Sequence, residues 1–323
     1  MPRNEVNYLF SKKLQTFGEL AVMRMQLNLG AVLLLKGEPG GGKTEFAMAM
    51  AKTLATAGDG AARNIDDVFF KYQCAPDRER DLLYNYDMNG IVTRSNAWLP
   101  GPAWEAFESS NYGFSVLLID EVDKTHPNFD AFLLELLEQM QFRAPTQGED
   151  GRVYNIKANP KNLMIILTSN GRRELRQEVL RRCQRIEVPF PERPRLDHII
   201  RGITENENTN VPLPIGLLEL LIRIGGQIRK ENPENAPSPK EMALCGIDLM
   251  VLGSNNVTDP DLWREVAASY MIKEGGVQGI DRALKFRWGK ALMTEVFNPR
   301  ETLTTTYETK YPIKKQAPKA KRR

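Results

Sequence analysis

The 323-residue sequence has only three cysteines and two histidines. Cys74, Cys183 and Cys245 lie far apart with no C-x-x-C spacing, which excludes a disulfide framework and a cysteine zinc site as expectations. Two histidines are too few for a histidine-rich metal site. Long hydrophobic runs are absent too, since runs such as 116–119 have the length of a strand rather than a membrane span. With no signal peptide expected, the sequence predicts a cytoplasmic protein with no membrane partner.

Positive charge is concentrated at one end of the chain. The sequence has 44 basic and 41 acidic residues, a net charge of +3, but residues 310–323 supply seven basic residues and no acid. Without that segment the count is 37 basic against 41 acidic residues, or −4. The sequence therefore predicts a mildly acidic folded body and a basic, disordered tail over residues 301–323.

A glycine-rich segment, GEPGGGKT at 37–44, follows the apolar run 31–35 and matches G-x-x-x-x-G-K-[ST]. Glycine lets backbone N–H groups turn inward around an anion, and the positive end of the following helix adds to the attraction. Lys43 would contact the β- and γ-phosphates, and Thr44 would hold Mg²⁺. The sequence predicts a nucleoside triphosphate site made by Gly37, Glu38, Pro39, Gly40, Gly41, Gly42, Lys43, Thr44 and Glu45.

Polar residues follow two later apolar runs, where open α/β sheets place their ligands. Asp120 would hold Mg²⁺ beside Thr44, and Glu121 would orient and deprotonate the attacking water. Asn170 follows the run at 163–168, from which its side chain can reach the γ-phosphate or that water. An acidic helix cap and a simple strand-end turn are the structural alternatives.

Two adjacent arginines, Arg181 and Arg182, precede the last predicted strand. A guanidinium can stabilise charge on a transferring phosphoryl group, and a neighbouring subunit can supply it. Which of the two acts is left open. Four other arginines lie close by in the sequence, and for most of these a solvated basic surface is the expectation: Arg172, Arg173, Arg176 and Arg185.

The hydrophobic pattern predicts an α/β domain followed by an all-helical domain. Five strands alternating with helices indicate a parallel sheet covered on both faces, with strands at 31–36, 68–73, 115–121, 163–168 and 185–188. Three prolines within 189–194 mark a domain boundary. We expect an N-terminal helical segment, an α/β domain, a small helical domain and a tail, at 1–30, 31–190, 191–300 and 301–323.

Ser238, Pro239 and Glu241 have the spacing of a helix start with a capping box. Lys240 would then lie in the first turn, where the helix dipole disfavours a cation. A bound phosphate would relieve this conflict, so Lys240 is a candidate nucleotide contact; a plain surface lysine is the alternative.

These motifs, in this order, resemble the AAA+ ATPases. The segments at 37–44, 117–121, 168–170, 180–183 and 238–240 correspond to Walker A, Walker B, sensor 1, the arginine finger and sensor 2. Within that superfamily the sequence is similar to the MoxR branch, on the evidence of LIDEVDK at 118–124, FDAFLLE at 129–135 and LTSN at 167–170 with REL at 173–175.

The resemblance implies a Mg²⁺-dependent ATPase with a five-stranded parallel sheet and a helical lid. It implies a hexameric ring with ATP sites between subunits, an insert at 85–102 and a pre-sensor hairpin at 141–162. The client would be a protein, with a von Willebrand factor A-domain protein as a frequent partner and metallocofactor maturation as one use. Lys240 departs from the family, which commonly has arginine at this position. Lysine keeps the positive charge but lacks the bidentate geometry with which arginine binds a phosphate.

Two other functions remain open. Basic tails bind nucleic-acid backbones, so a nucleic-acid motor or loader is one alternative, although the tail could equally be a solubilising segment. An ATP-gated scaffold with negligible turnover is the other, and the intact acids Asp120 and Glu121 count against it.

Overall fold

The computed structural model describes residues 11–57, 62–86, 98–147, 153–205, 211–254 and 260–272. The chain divides between Pro191 and Glu192 into two compact units. The predicted tail at 301–323 lies outside the described residues, as do the middle of the predicted insert and the tip of the predicted hairpin. The predicted domain bounds stay predictions.

The first unit is built around a five-stranded sheet. The described strands of this unit, in the central sheet and in two separate hairpins, are β1 (Ala31–Lys36), β2 (Phe69–Gln73), β3 (Tyr84–Tyr86), β4 (Trp98–Pro100), β5 (Ser115–Asp120), β6 (Gln141–Gln147), β7 (Val153–Lys157), β8 (Leu163–Ser169) and β9 (Gln184–Glu187). The central sheet has the order β2-β5-β8-β1-β9, and all its neighbours are parallel. Two antiparallel hairpins, β3–β4 and β6–β7, stand apart from it.

Helices cover both faces of this sheet. Those of the first unit are α1 (Lys12–Gln26), α2 (Lys43–Ala55), α3 (Pro102–Ser110), α4 (Phe129–Gln139) and α5 (Gln177–Arg182). Strand residues alternate between two cores because successive side chains point to opposite faces. On β1, Leu33 and Leu35 pack with α1 and α2, whereas Val32 and Leu34 belong to the core beneath α3 and α4.

Among its described residues, the second unit contains helices and connecting loops but no strand. It contains α6 (Arg193–Thr204), α7 (Ile215–Glu231), α8 (Pro239–Ser254) and α9 (Pro260–Met271), with a 3₁₀ turn at Pro233–Asn235. Residues of α7 at helical spacing form much of its core, including Leu217, Leu221, Ile224 and Ile228.

The predicted capping box starts α8. The Ser238 N–H donates to Glu241 Oε2 at 2.7 Å, and the Glu241 N–H donates to Ser238 Oγ at 3.2 Å. The capping prediction, the five-stranded parallel sheet with helices on both faces and the helical C-terminal region are therefore confirmed. Among the described helices, none is both long and apolar enough to cross a membrane.

Candidate nucleotide-binding and hydrolysis site

The loop between β1 and α2 depends on glycine at three positions. Gly40 and Gly42 have φ of 75° and 87°, and Gly42 caps α2 in the left-handed conformation. A Cβ on Gly37 would lie 2.1 Å from the backbone oxygen of Val188, so no larger residue fits there. The loop consequently turns sharply into α2 and directs the first N–H groups of that helix towards one point.

Lys43 is the buried cation of this loop, with only 7% of its surface exposed. Its Nζ donates to the backbone oxygens of Gly37 and Glu38 at 2.7 and 2.9 Å, and to Asn170 Oδ1 at 2.8 Å. Burial lowers the pKa of Lys43, and four carboxylates oppose that shift: Asp120, Asp123, Glu121 and Glu38. Carboxylates therefore surround the Lys43 ammonium, which donates to three protein oxygens. Phosphate oxygens could replace these protein oxygens as its hydrogen-bond acceptors.

Asp120 and Thr44 form an oxygen-rich pair beside Lys43. The Thr44 hydroxyl lies 3.3 Å from one Asp120 carboxylate oxygen and 3.4 Å from the other. Asp120 also accepts from the Thr168 hydroxyl at 2.5 Å and pairs with Lys71 at 3.0 Å. A hydroxyl and a carboxylate are the protein ligands that Mg²⁺ takes when substrate phosphates and water complete its shell. No cluster of three or more His, Cys, Asp or Glu side chains suited to a metal occurs in the described part of the chain.

Glu121 has an unusual backbone conformation, with φ 58° and ψ 50°. Non-glycine residues adopt this left-handed region at a cost, and such outliers concentrate at functional sites. The Glu121 N–H donates to Thr168 Oγ1 at 2.8 Å, which holds this conformation. The carboxylate accepts from Gln73 Nε2 at 2.6 Å and from Asn170 Nδ2 at 3.0 Å, and it pairs with Lys124 at 2.5 Å.

Asn170 joins the two halves of the site. Its side-chain oxygen accepts from Lys43 while its side-chain nitrogen donates to Glu121. One amide therefore bridges the predicted phosphate-binding lysine and the predicted water-activating carboxylate. The described structure brings together Lys43, Thr44, Asp120, Glu121 and Asn170, and their catalytic roles stay predictions.

The remaining predicted side chains are exposed. Glu45 is exposed in the first turn of α2. Arg181 and Arg182 are exposed at the end of α5, and Arg182 pairs with Glu138 of α4. Within the described chain neither arginine bonds to Lys43, Asp120 or Glu121. Lys240 is exposed in the first turn of α8, in the second unit.

Three of the four neighbouring arginines are exposed, as expected for most of them, and Arg173 is the exception. Arg172, Arg176 and Arg185 are exposed, but the Arg173 side chain is only 18% exposed and pairs with the fully buried Asp130. Sequence reasoning also gave no role to several residues that contact the site, namely Lys71, Gln73, Asp123 and Lys124.

Comparison with known proteins places the site in context. Residues 32–185 match the profile of a family described as AAA domain (dynein-related subfamily). The chaperone protein ClpB of Mycoplasma pneumoniae is 26% identical over 236 residues, which cover 68% of this chain and 29% of that protein. Lon protease 1 of Borreliella burgdorferi is 28% identical over 165 residues, covering 49% of this chain and 18% of the protease. The chain thus spans less than a third of the curated relatives it matches.

Two solved structures align with most of the chain. NtrX from Brucella abortus in complex with ADP aligns with a TM-score of 0.49 at 15% identity, over 85% of this chain and 59% of that one. The Saccharomyces cerevisiae Hsp104–ADP complex aligns with a TM-score of 0.44 at 20% identity, over 77% of this chain and 45% of that one.

Proposed function

We propose, from the AAA+ ATPase domain that residues 32–185 of this chain form, that the protein is a MoxR-type ring motor that remodels or activates a partner protein. The domain makes the chain an ATPase that uses ATP and Mg²⁺, as the sequence predicted. The observation that carries the proposal is the Asn170 amide, which bonds to Lys43 at 2.8 Å and to Glu121 at 3.0 Å. Phosphate binding and water activation are thereby linked through one side chain.

Each residue has one task in the proposed reaction. Lys43 and the loop N–H groups bind the β- and γ-phosphates, and Thr44 with Asp120 holds Mg²⁺, which neutralises phosphate charge when bound. Glu121 would orient the attacking water and accept its proton, and the hydrogen bond from Asn170 would hold that carboxylate in place. Phosphoryl transfer needs mainly such positioning and charge stabilisation.

The proposed ring completes the site with an arginine from a neighbouring copy. Arg181 and Arg182 support this because both guanidiniums are exposed and neither bonds to the site residues of its own described chain. We propose a hexamer that works in the cytoplasm on a protein client, with a von Willebrand factor A-domain protein as partner. The hairpin β6–β7 is the proposed client-contacting element, and maturation of a metalloenzyme is the kind of task proposed.

Glu121→Gln tests the catalytic assignment. The substitution keeps the side chain's size but removes the base, so steady-state phosphate release should fall by about 10²-fold or more. Binding of a fluorescent ATP analogue should stay within about threefold of wild type, because the phosphate contacts come from the loop. Glu19→Gln, the same change at an exposed position of α1, is the control. Unchanged phosphate release would refute the role of Glu121.

Mixed assemblies test the ring. Arg182→Ala subunits keep their own Glu121, and Glu121→Gln subunits keep their arginines, so mixing the two inactive variants should restore part of the ATPase rate. No restoration at any mixing ratio would argue that Arg182 acts within its own subunit. The same Glu121→Gln ring, trapped with ATP, can be used to co-purify the client.

A nucleic-acid motor is the second candidate, favoured by the seven basic residues at 310–323. Backbone phosphates would bind that segment with strong salt dependence. If this candidate is correct, DNA or RNA should stimulate phosphate release, and deletion of 310–323 should abolish the stimulation. A rate that nucleic acid leaves unchanged favours the protein client.

A further inference from the structure

We propose that Asp123 is a positioning residue for ATP hydrolysis and that it acts through Asn170. This inference rests on the proposed function. Asp123 lies in the 3₁₀ turn Val122–Lys124 that directly follows Glu121, and only 5% of its surface is exposed. A buried carboxylate in this position requires compensating partners.

The partners of Asp123 are backbone N–H groups of the loop after β8. The Asn170 N–H lies 3.1 and 3.2 Å from the two Asp123 carboxylate oxygens, and the Arg172 N–H donates to Oδ2 at 2.9 Å. Hydrogen bonds to an ionised acceptor are stronger than those between neutral groups. The carboxylate therefore fixes the backbone of the residue whose side chain bridges Lys43 and Glu121.

A role as a metal ligand fits Asp123 less well. Both of its oxygens already accept backbone N–H groups, whereas Asp120 lies directly beside the Thr44 hydroxyl. Mg²⁺ bound at Thr44 and Asp120 needs no second carboxylate when phosphates and water supply the other ligands. Asp123 instead connects the turn after Glu121 to the loop that carries Asn170.

A second buried carboxylate anchors the far end of the same loop. The Asp130 carboxylate in α4 accepts hydrogen bonds from both terminal nitrogens of Arg173, at 3.0 and 2.6 Å, and from the Arg176 N–H at 2.7 Å. With this end fixed by Asp130, the part of the loop that loss of Asp123 would release is the segment 170–172. The released displacement would be small, and a misplacement of about 1 Å in an active site can cost about 10²-fold in rate.

The test compares Asp123→Ala, Asn170→Ala and the double variant in the full chain. Asp123→Ala should lower kcat about 10- to 100-fold while the affinity for a fluorescent ATP analogue stays within about threefold. Asp123→Asn keeps one oxygen acceptor and should recover part of the loss; it also serves if the alanine variant does not fold. Asp66→Ala, an exposed aspartate in the turn Ile65–Asp67, should leave the rate unchanged.

The double variant separates positioning from general stability. If Asp123 acts through Asn170, the double variant should be no slower than Asn170→Ala alone, because the same interaction is already lost. The inference would be overturned if the loss of kcat in the double variant equalled the product of the two single losses. It would also be overturned if Asp123→Ala lowered the melting temperature but left kcat per folded site unchanged. A wild-type chain with no ATPase activity would instead refute the proposed function, so the two failures are distinct.

Discussion

Arg173→Ala should destabilise the first unit far more than Arg182→Ala, although each substitution removes an arginine from an ion pair. The Arg173 side chain is 18% exposed and its partner Asp130 is 0% exposed, whereas Arg182 and Glu138 are 53% and 40% exposed. Breaking a buried pair leaves an uncompensated charge and costs about 3–5 kcal/mol. Breaking an exposed pair costs about 0–1 kcal/mol because water and salt already screen it.

The remaining bonds of Arg173 place the expected loss in the upper part of that range. Its guanidinium also donates to the Thr125 backbone oxygen at 2.9 Å, to Thr125 Oγ1 at 3.0 Å and to the Val122 oxygen at 3.3 Å. These acceptors would lose a partner in a nearly dry environment. For a unit of this size, each kcal/mol corresponds to about 2–4 °C, so Arg173→Ala should lower the melting temperature by about 10–20 °C.

Urea unfolding and calorimetry of the full-length variants provide the measurement. The urea midpoint should fall at a constant m-value for Arg173→Ala and stay nearly unchanged for the matched control Arg182→Ala. The double substitution Asp130→Leu with Arg173→Met should recover part of the loss, because no buried charge is left unpaired. The Arg176 N–H and the Thr125 and Val122 oxygens still lose a partner, so the recovery should be incomplete. Equal destabilisation by the two alanine variants would refute the assignment of a buried, energetically important pair.

Two further predictions concern thiols and a helix cap. Burial raises the pKa of Cys74, Cys183 and Cys245 to about 12, so only about one thiol in 10⁴ is ionised at pH 8. Iodoacetamide should therefore label the native chain far more slowly than the urea-unfolded chain. Rapid labelling of the native chain would contradict this prediction. Ser238→Ala removes the acceptor of the Glu241 N–H and should destabilise the second unit by about 1 kcal/mol in urea unfolding, whereas Ser238→Thr should retain most of that stability.

Much of the fold was predictable because the relevant signals are local. Apolar runs at strand spacing, a glycine loop and acids at the end of a run each depend on residues close together in the sequence. The five strands of the central sheet begin and end within one or two residues of the predicted positions, as at 68–73 against the observed Phe69–Gln73. The same locality predicted the capping box at Ser238.

The contacts that complete the site were not predictable to the same degree. Asp123 bonds to backbone N–H groups 47 and 49 positions away, and every residue except proline has such a group, so no residue type indicates the partner. Most of the neighbouring arginines were expected on a solvated surface, but a run of arginines contains no information about which one lies over a buried acid, and so Arg173 could not be singled out. Gln73 did carry a signal, since it ends β2 at the same edge of the sheet as Asp120 and Asn170.

Asp120 illustrates why tertiary structure decides the chemistry even where the residue itself is predicted. Its two oxygens are shared among the Thr44 hydroxyl, the Thr168 hydroxyl and the Lys71 ammonium, which come from α2, β8 and β2. Thr168 also holds the N–H of Glu121, so one hydroxyl sets the positions of both acids of the pair. The strand-end rule predicts that carboxylates gather at this edge, but only the packing of neighbouring strands determines that Asp120 and Glu121 share a single buried hydroxyl.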